Sequence, residues 1–234
     1  MIKIINEHFP GIFEFYFNRF INKQIINDFI PNGYLYFKDV NEIDIWGNDY
    51  IDYFNVKADE YYVCFPNKKE HLPYGVFERY VGYDSTKINN FLRSNLKSSE
   101  NESILNQIEV LKHEMKNLKL RDNIVTIRKL KNIHIYTKDI QTGNIISDKG
   151  FLSTSLDLNY RLSYDGEHLP IDDETIMIIK IPSGQSAIYL EPISKRQEFE
   201  LLLPNNVELF VEKKIKVLNN YILLVKVLME GTKP

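Results

Sequence analysis

The chain has 234 residues, of which 44% are hydrophobic and 13% aromatic, enough apolar surface for one buried core and a single domain. Its formal net charge of -3 and its lack of a large Lys/Arg cluster exclude the electrostatic footprint of a nucleic-acid-binding protein. The lone Cys64 excludes an internal disulfide framework, has no visible base partner for thiol chemistry, and leaves a fold that tolerates a reducing cytosol.

In chain order, Met1-Ile2-Lys3-Ile4-Ile5 lacks the long apolar core of a secretory signal, so export is expected by another route or the chain is a mature form. No stretch reaches transmembrane length. Residues 13–30 interleave Phe, Ile and Tyr with Asn, Arg, Lys and Asp, which predicts an amphipathic helix. Its charges are mixed in sign, so it is expected to pack on the domain and not on a membrane. Pro31-Asn32-Gly33 and Pro66-Asn67-Lys68-Lys69 read as loops. Further helices are predicted over 85–96 and 101–118, the second announced by the capping-box pair Ser99 and Glu102. Beyond them the pattern changes to strands, at 124–130, 150–154, 175–181, 187–190, 198–203, 207–217 and 221–228, with a hairpin around Asn219-Asn220. Helices in one half and strands in the other predict an α+β fold with antiparallel pairing.

Three strings in the strand-rich half carry chemistry. Arg128 closes the apolar run Ile124-Val125-Thr126-Ile127, beside Lys129; a guanidinium at a strand end suits a bidentate grip on a pyrophosphate, or simply caps the strand at the surface. In Ser153-Thr154-Ser155, hydroxyls at alternate positions can fix a glutamate on a neighbouring strand, or serve as turn formers. In Glu198-Phe199-Glu200, strand geometry would send both carboxylates into one pocket and Phe199 to the apolar side; the plain alternative is the solvent face of an edge strand. A second Glu-x-Glu, at Glu100-Asn101-Glu102, reads as a helix start. Asn89 and Arg93 lie one helical turn apart and share a face, towards a cleft or towards solvent. His168 near Asp165, Asp172 and Asp173 fits no zinc or calcium spacing, so no metal is expected.

An arginine, then a hydroxyl triplet, then Glu-x-Glu, each on its own strand and in this order, resembles the ADP-ribosyltransferase family. The similarity is to its bacterial toxin branch, which includes the enzymatic components of actin-modifying binary toxins and the Rho-modifying exoenzymes. Gly150-Phe151-Leu152 before the triplet resembles it too, as do the run from Ile178 to Leu190 and the stretch Glu198 to Pro204. Upstream, Trp46-Gly47, Tyr80 and Ile88-Asn89-Asn90-Phe91-Leu92-Arg93 are similar to the helical segment ahead of the family's arginine.

The resemblance implies a mostly antiparallel two-sheet core and one mono-ADP-ribosyltransferase domain, with a helical extension over 1–44, a helical part over 45–118 and a β-rich catalytic core over 119–234. It implies NAD as co-substrate, with Arg128 on the phosphates, Ser153 holding Glu200, Glu200 against the ribose next to nicotinamide, and Glu198 orienting or deprotonating the acceptor. Asn89, Arg93, Lys129, Thr154 and Ser155 would help to hold NAD. Glu at position 198, where other branches have Gln, points to arginine of a target protein as acceptor, because only a carboxylate pairs with a guanidinium in a fork. The loop from Glu191 to Gln197, with Ile193, Ser194 and Lys195 at its centre, would touch that target, for which actin is the first candidate. Tyr160, Arg161 and Tyr164 are three candidates to flank NAD. A secreted or delivered effector acting in a host cytosol follows, with a separate translocation component where it belongs to a binary toxin. The rival readings are an NAD glycohydrolase with water as acceptor, and an inactive docking domain of the same fold.

Overall fold

A computed structural model describes residues 22–54, 62–65, 68–71, 75–94, 102–131, 139–158, 174–194, 196–217, 220–229 and 231. The helical half begins with α1 (Asn22–Phe29), the part of the helix expected over 13–30 that falls within the described residues. After Gly33, which turns the chain at φ 92°, comes the short β1 (Tyr34–Leu35). Helix α2 (Val40–Phe54) follows. Its start is capped by Asp39, whose Oδ1 accepts the Glu42 N–H at 3.1 Å. Ile43, Trp46 and Tyr50 form its buried stripe, with Trp46 stacked on Tyr50 at 4.9 Å and edge-on to Tyr189 at 5.7 Å. Gly47 is needed on that stripe, because a Cβ there would lie 2.4 Å from the Tyr189 ring. Periodicity did not single this helix out, although the resemblance implies a helical part from residue 45; Gly47 and the scattered acids dilute a pattern that tertiary packing makes decisive.

A hairpin, β2 (Tyr62–Phe65) with β3 (Lys68–His71), precedes α3 (Val76–Arg79). A single π-helical turn, Tyr80–Asp84, joins α3 to α4 (Ser85–Ser94), and α5 (Glu102–Asn117) buries Ile104, Ile108, Leu111 and Met115. The last two helices match their predicted positions to within two residues.

The strands are β4 (Asn123–Lys131), β5 (Ile145–Ser155), β6 (Glu174–Ile181), β7 (Ile188–Tyr189), β8 (Glu200–Val217) and β9 (Asn220–Val227), with the four-residue helix α6 (Glu191–Ser194) between β7 and β8. The strand path runs β1-β4-β5-β8-β9-β6, and β6 pairs back to β4, so five of its strands close a ring; β7 pairs with β8. Pairing is mostly antiparallel, as expected, with parallel contacts at β1–β4 and β6–β9. Strand β8 is one 18-residue element where two were predicted. Pro204, between the two predicted strands, falls at a register shift between the Phe151–Asn205 and Leu152–Leu203 pairs, where its missing N–H costs no ladder bond.

The two faces of β5 and β8 have different partners. Leu152, Leu201 and Leu203 pack in the cluster with Trp46 and Tyr50 of α2, while Phe151 and Leu202 pack under α3, α4 and α5 with Phe77, Ile88 and Leu111. A third cluster seats Ile25 of α1 on Val125, Ile176 and Ile222. Among the described residues, no helix is long and apolar enough to cross a membrane.

Candidate active site

The face of β5 that carries Phe151 also carries Ser153 and Ser155, because side chains alternate along a strand. Ser155 stands opposite Glu200, the first residue of β8, so Glu200 enters the space beneath α4 diagonally from Ser153. The Ser153 side chain lies beside the Glu200 carboxylate and favours its charged form. Thr154 takes the other face, where its Oγ1 donates to the Leu201 carbonyl at 2.8 Å inside the core, away from the cleft.

Arg128 reaches the same space from the middle of β4, one residue past the point where β4 meets β5 at Ile127 and Ser155. It lies within the strand and not at its end as expected. Its Nη1 donates to the Ser153 carbonyl at 2.6 Å, and its Nη2 lies 3.7 Å from Asp148 Oδ2. Arg93 of α4 grips the same Asp148 in a fork, with Nε to Oδ1 at 2.8 Å and Nη2 to Oδ2 at 2.7 Å. Asn89, one turn earlier, accepts the Phe151 N–H at 2.8 Å and donates to the Tyr80 hydroxyl at 2.9 Å, locking α4 to β5. Gly150 permits that approach: a Cβ there would stand 2.8 Å from Asn89 Oδ1 and 3.0 Å from Arg93 Nη2.

The result is a cleft of about 270 Å³ that gathers Asn89, Arg93, Arg128, Ser153, Glu198 and Glu200. Lys129 alternates to the other side of β4, is exposed, and does not line the cleft. Ile193 and Ser194 lie on α6, lining a second cleft next to the first. Lys195, Tyr160, Arg161 and Tyr164 lie outside the described residues.

Glu198 and Glu200 are held in different ways, although a single strand was expected to carry both. Glu200 is buried on β8, whereas exposed Glu198 sits in a tight turn between two non-glycine residues in the left-handed region, Gln197 at φ 57° and Phe199 at φ 49°. Phe199 is buried as predicted, and its carbonyl accepts the Leu156 N–H at 3.0 Å. Ser155 Oγ donates to the Glu198 carbonyl at 2.8 Å, so the third hydroxyl position secures the turn's backbone. Arg196 donates to the Val81 carbonyl, tying the turn to the π-helical turn.

Burial pushes the Glu200 carboxyl above its ordinary range and the nearby charge of Glu198 adds to this, while the Ser153 hydroxyl, Arg196 and Arg128 pull it back. Arg128 is lowered from its usual value, chiefly by burial, with Asp148 opposing. Two guanidiniums converge on one carboxylate, and Arg128 Nε is buried without a hydrogen-bond acceptor. That surplus of cationic donors fits the pyrophosphate of a dinucleotide. Among the described residues, no group of three His, Cys, Asp or Glu is placed to hold a metal ion. Sequence reasoning passed over Asp148 as a site residue, although it lies two residues before Gly150, and treated Glu191 and Arg196 only as members of a target-facing loop.

Residues 45–229 match the model of the ADP-ribosyltransferase exoenzyme family. The chain belongs to that family. Its fold is shared with Plx2a, an ADP-ribosyltransferase toxin from Paenibacillus larvae, at 20% identity and a TM-score of 0.60, covering 81% of this chain and 96% of that one. The Clostridium limosum C3 exoenzyme superimposes with a TM-score of 0.64 at 17% identity, over 85% of this chain and 98% of that one. BECa, an ADP-ribosylating toxin of a binary enterotoxin of C. perfringens solved with NADH, gives 0.63 at 16% identity, over 83% of this chain and 50% of its own. No curated protein matches. The ADP-ribosyltransferase family uses NAD, and in this member the cleft beneath α4 brings Arg93, Arg128, Glu198 and Glu200 together.

Proposed function

We propose that the protein transfers ADP-ribose from NAD to an arginine side chain of a target protein and releases nicotinamide. The observation that carries this reading is the buried Glu200, beside Ser153 in one cleft with the cationic donors of Arg128 and Arg93. Arg128 and Arg93, which both line the cleft, would bind the dinucleotide phosphates. Glu200 would hydrogen-bond the ribose next to nicotinamide, where its negative charge stabilises the positive charge that develops on the sugar as the glycosidic bond breaks. In a buried site this attraction is stronger than in water, and removing one such preorganised group costs about 2.7–4 kcal/mol of barrier.

Glu198, exposed at the mouth of the cleft, is placed to pair with an incoming guanidinium, orienting it or taking its proton. The acceptor would arrive over the neighbouring cleft of about 570 Å³, lined by Glu78, Tyr83, Ile193, Ser194 and Arg196. Tyr83 is 90% exposed on its rim, an aromatic surface suited to a protein partner. That cleft shares Val81 and Arg196 with the NAD cleft, so a protein seated on it would present a side chain to Glu198. We place the action in a host-cell cytosol, with a separate translocation component if the protein is half of a binary toxin; actin is the first target to test.

The test is incubation of cell lysate with biotinylated NAD, with the wild-type protein and with Glu200→Gln, followed by mass spectrometry of labelled bands. One or few bands modified at arginine, lost in the variant, are expected. Nicotinamide release without labelling would replace transfer by hydrolysis, and modification at asparagine or cysteine would overturn the acceptor assignment.

A further inference from the structure

The turn that presents Glu198 lacks the support its conformation demands from the strand ladder. Gln197 and Phe199 both adopt left-handed backbone conformations without being glycine, which costs energy at each residue, and β8 begins only at Glu200. Their backbone N–H groups point to one place. Glu191 Oε1 accepts the Gln197 N–H at 2.7 Å and Glu191 Oε2 accepts the Phe199 N–H at 2.9 Å, so one carboxylate spans the residues on both sides of Glu198. Glu191 is itself anchored beside the ladder: its neighbour Leu190 donates its N–H to the Glu200 carbonyl at 2.9 Å and accepts the Ser194 N–H at 2.8 Å.

We infer that Glu191 is the positioning residue for the acceptor-side glutamate, acting through the backbone of the turn and touching neither NAD nor acceptor. Two charge-assisted hydrogen bonds from a carboxylate hold two left-handed peptides in place, and the side chain between them, Glu198, is thereby aimed at the cleft. The Ser155 bond to the Glu198 carbonyl supplies the opposite hold on the same turn. Glu200 needs none of this, because its register with Ser155 is fixed by the β5–β8 ladder. Glu191 therefore governs transfer selectively and leaves cleavage of NAD alone. This role rests on the transfer reading given above.

Glu191→Gln tests it with two measurements. Gln keeps one acceptor oxygen and replaces the other by a donor, so one of the two bonds is lost while the side chain keeps its size. The first measurement is limited trypsin digestion after Lys195 and Arg196, read alongside the thermal midpoint. The second is the ratio of transfer, to the small guanidine acceptor agmatine and to lysate proteins, over nicotinamide release with NAD alone. We expect cleavage in the turn to accelerate about tenfold at an unchanged thermal midpoint, and the transfer ratio to fall about tenfold while NAD hydrolysis and the KM for NAD hold. Cleavage at the wild-type rate overturns the clamp. Faster cleavage with an unchanged ratio, or transfer and hydrolysis falling together, overturns its role in acceptor positioning. A wild-type protein that hydrolyses NAD but transfers to no acceptor refutes the transfer reading and this role with it, while digestion still decides whether the clamp exists.

Discussion

The two glutamates of one tripeptide show how differently a fold can hold a side chain. Glu200 belongs to a closed ring of strands, is buried, and meets Ser153 through a ladder whose register leaves it one position to occupy. Glu198, two residues earlier, is exposed on a turn held on both sides by side chains of α6 and β5. On the proposed reading, rigid backbone carries the group that acts on a bond inside the bound dinucleotide, and a tethered turn carries the group that meets a second macromolecule. A strand-borne carboxylate tolerates little displacement, and a turn-borne one can adapt to an incoming partner.

That division can be broken one side at a time. The largest effect is expected from Glu200→Gln, which keeps the shape but removes the charge beside the reacting sugar; nicotinamide release should fall about 10²–10³-fold, measured with NAD alone. Glu198→Gln should spare nicotinamide release and lower transfer to agmatine by about ten- to a hundredfold, the cost of a lost charge-assisted bond. Equal losses in both assays would merge the two regions into one functional unit.

Gly150→Ala probes the joint between α4 and the strands. The new methyl would press on Asn89 and the Arg93 fork, so the KM for NAD should rise about tenfold with a smaller change in kcat. A smaller effect is expected from Ser153→Ala. The hydroxyl holds the Glu200 carboxyl down against burial; without it the acid limb of the kcat profile should move to higher pH, and a limb that stays in place would show that Glu200 is not the group titrating.

The smallest effect concerns stability. Because Glu200 is raised above its ordinary 4.5 on folding, the folded state resists its ionisation, a cost that appears as pH rises through the unfolded value and is complete above the folded one. Glu200→Gln should therefore raise the thermal midpoint at neutral pH, with the gain vanishing as pH falls below that range.

Much of the fold was legible because periodicity survives wherever an element has one dry face. The helices over 85–96 and 101–118 and the strands at 124–130 and 175–181 were read to within two residues of their observed bounds. Helix α2 escaped because Gly47, which thins its apolar pattern, is there to admit the Tyr189 ring, a contact visible only in three dimensions. The long β8 was read as two strands because Pro204 and the polar Asn205-Asn206 interrupt its pattern, and only the pairing shows that Pro204 is the extra residue of a bulge within one strand.

At the cleft, residue types carried the chemistry: a guanidinium, a hydroxyl and two carboxylates in a fixed order along the chain announce anion binding and stabilisation of a developing cation, whatever the backbone does with them. Tertiary structure decided which of those side chains are dry, which face one another, and what holds them there. Thr154 was lost from the group by strand alternation, and Asp148, Arg196 and Glu191 joined it through contacts that bridge distant segments or fold a loop back on itself. Side-chain chemistry is a property of each residue and can be read in one dimension; burial and hydrogen-bond partnership are properties of pairs, and only the folded chain brings the pairs together.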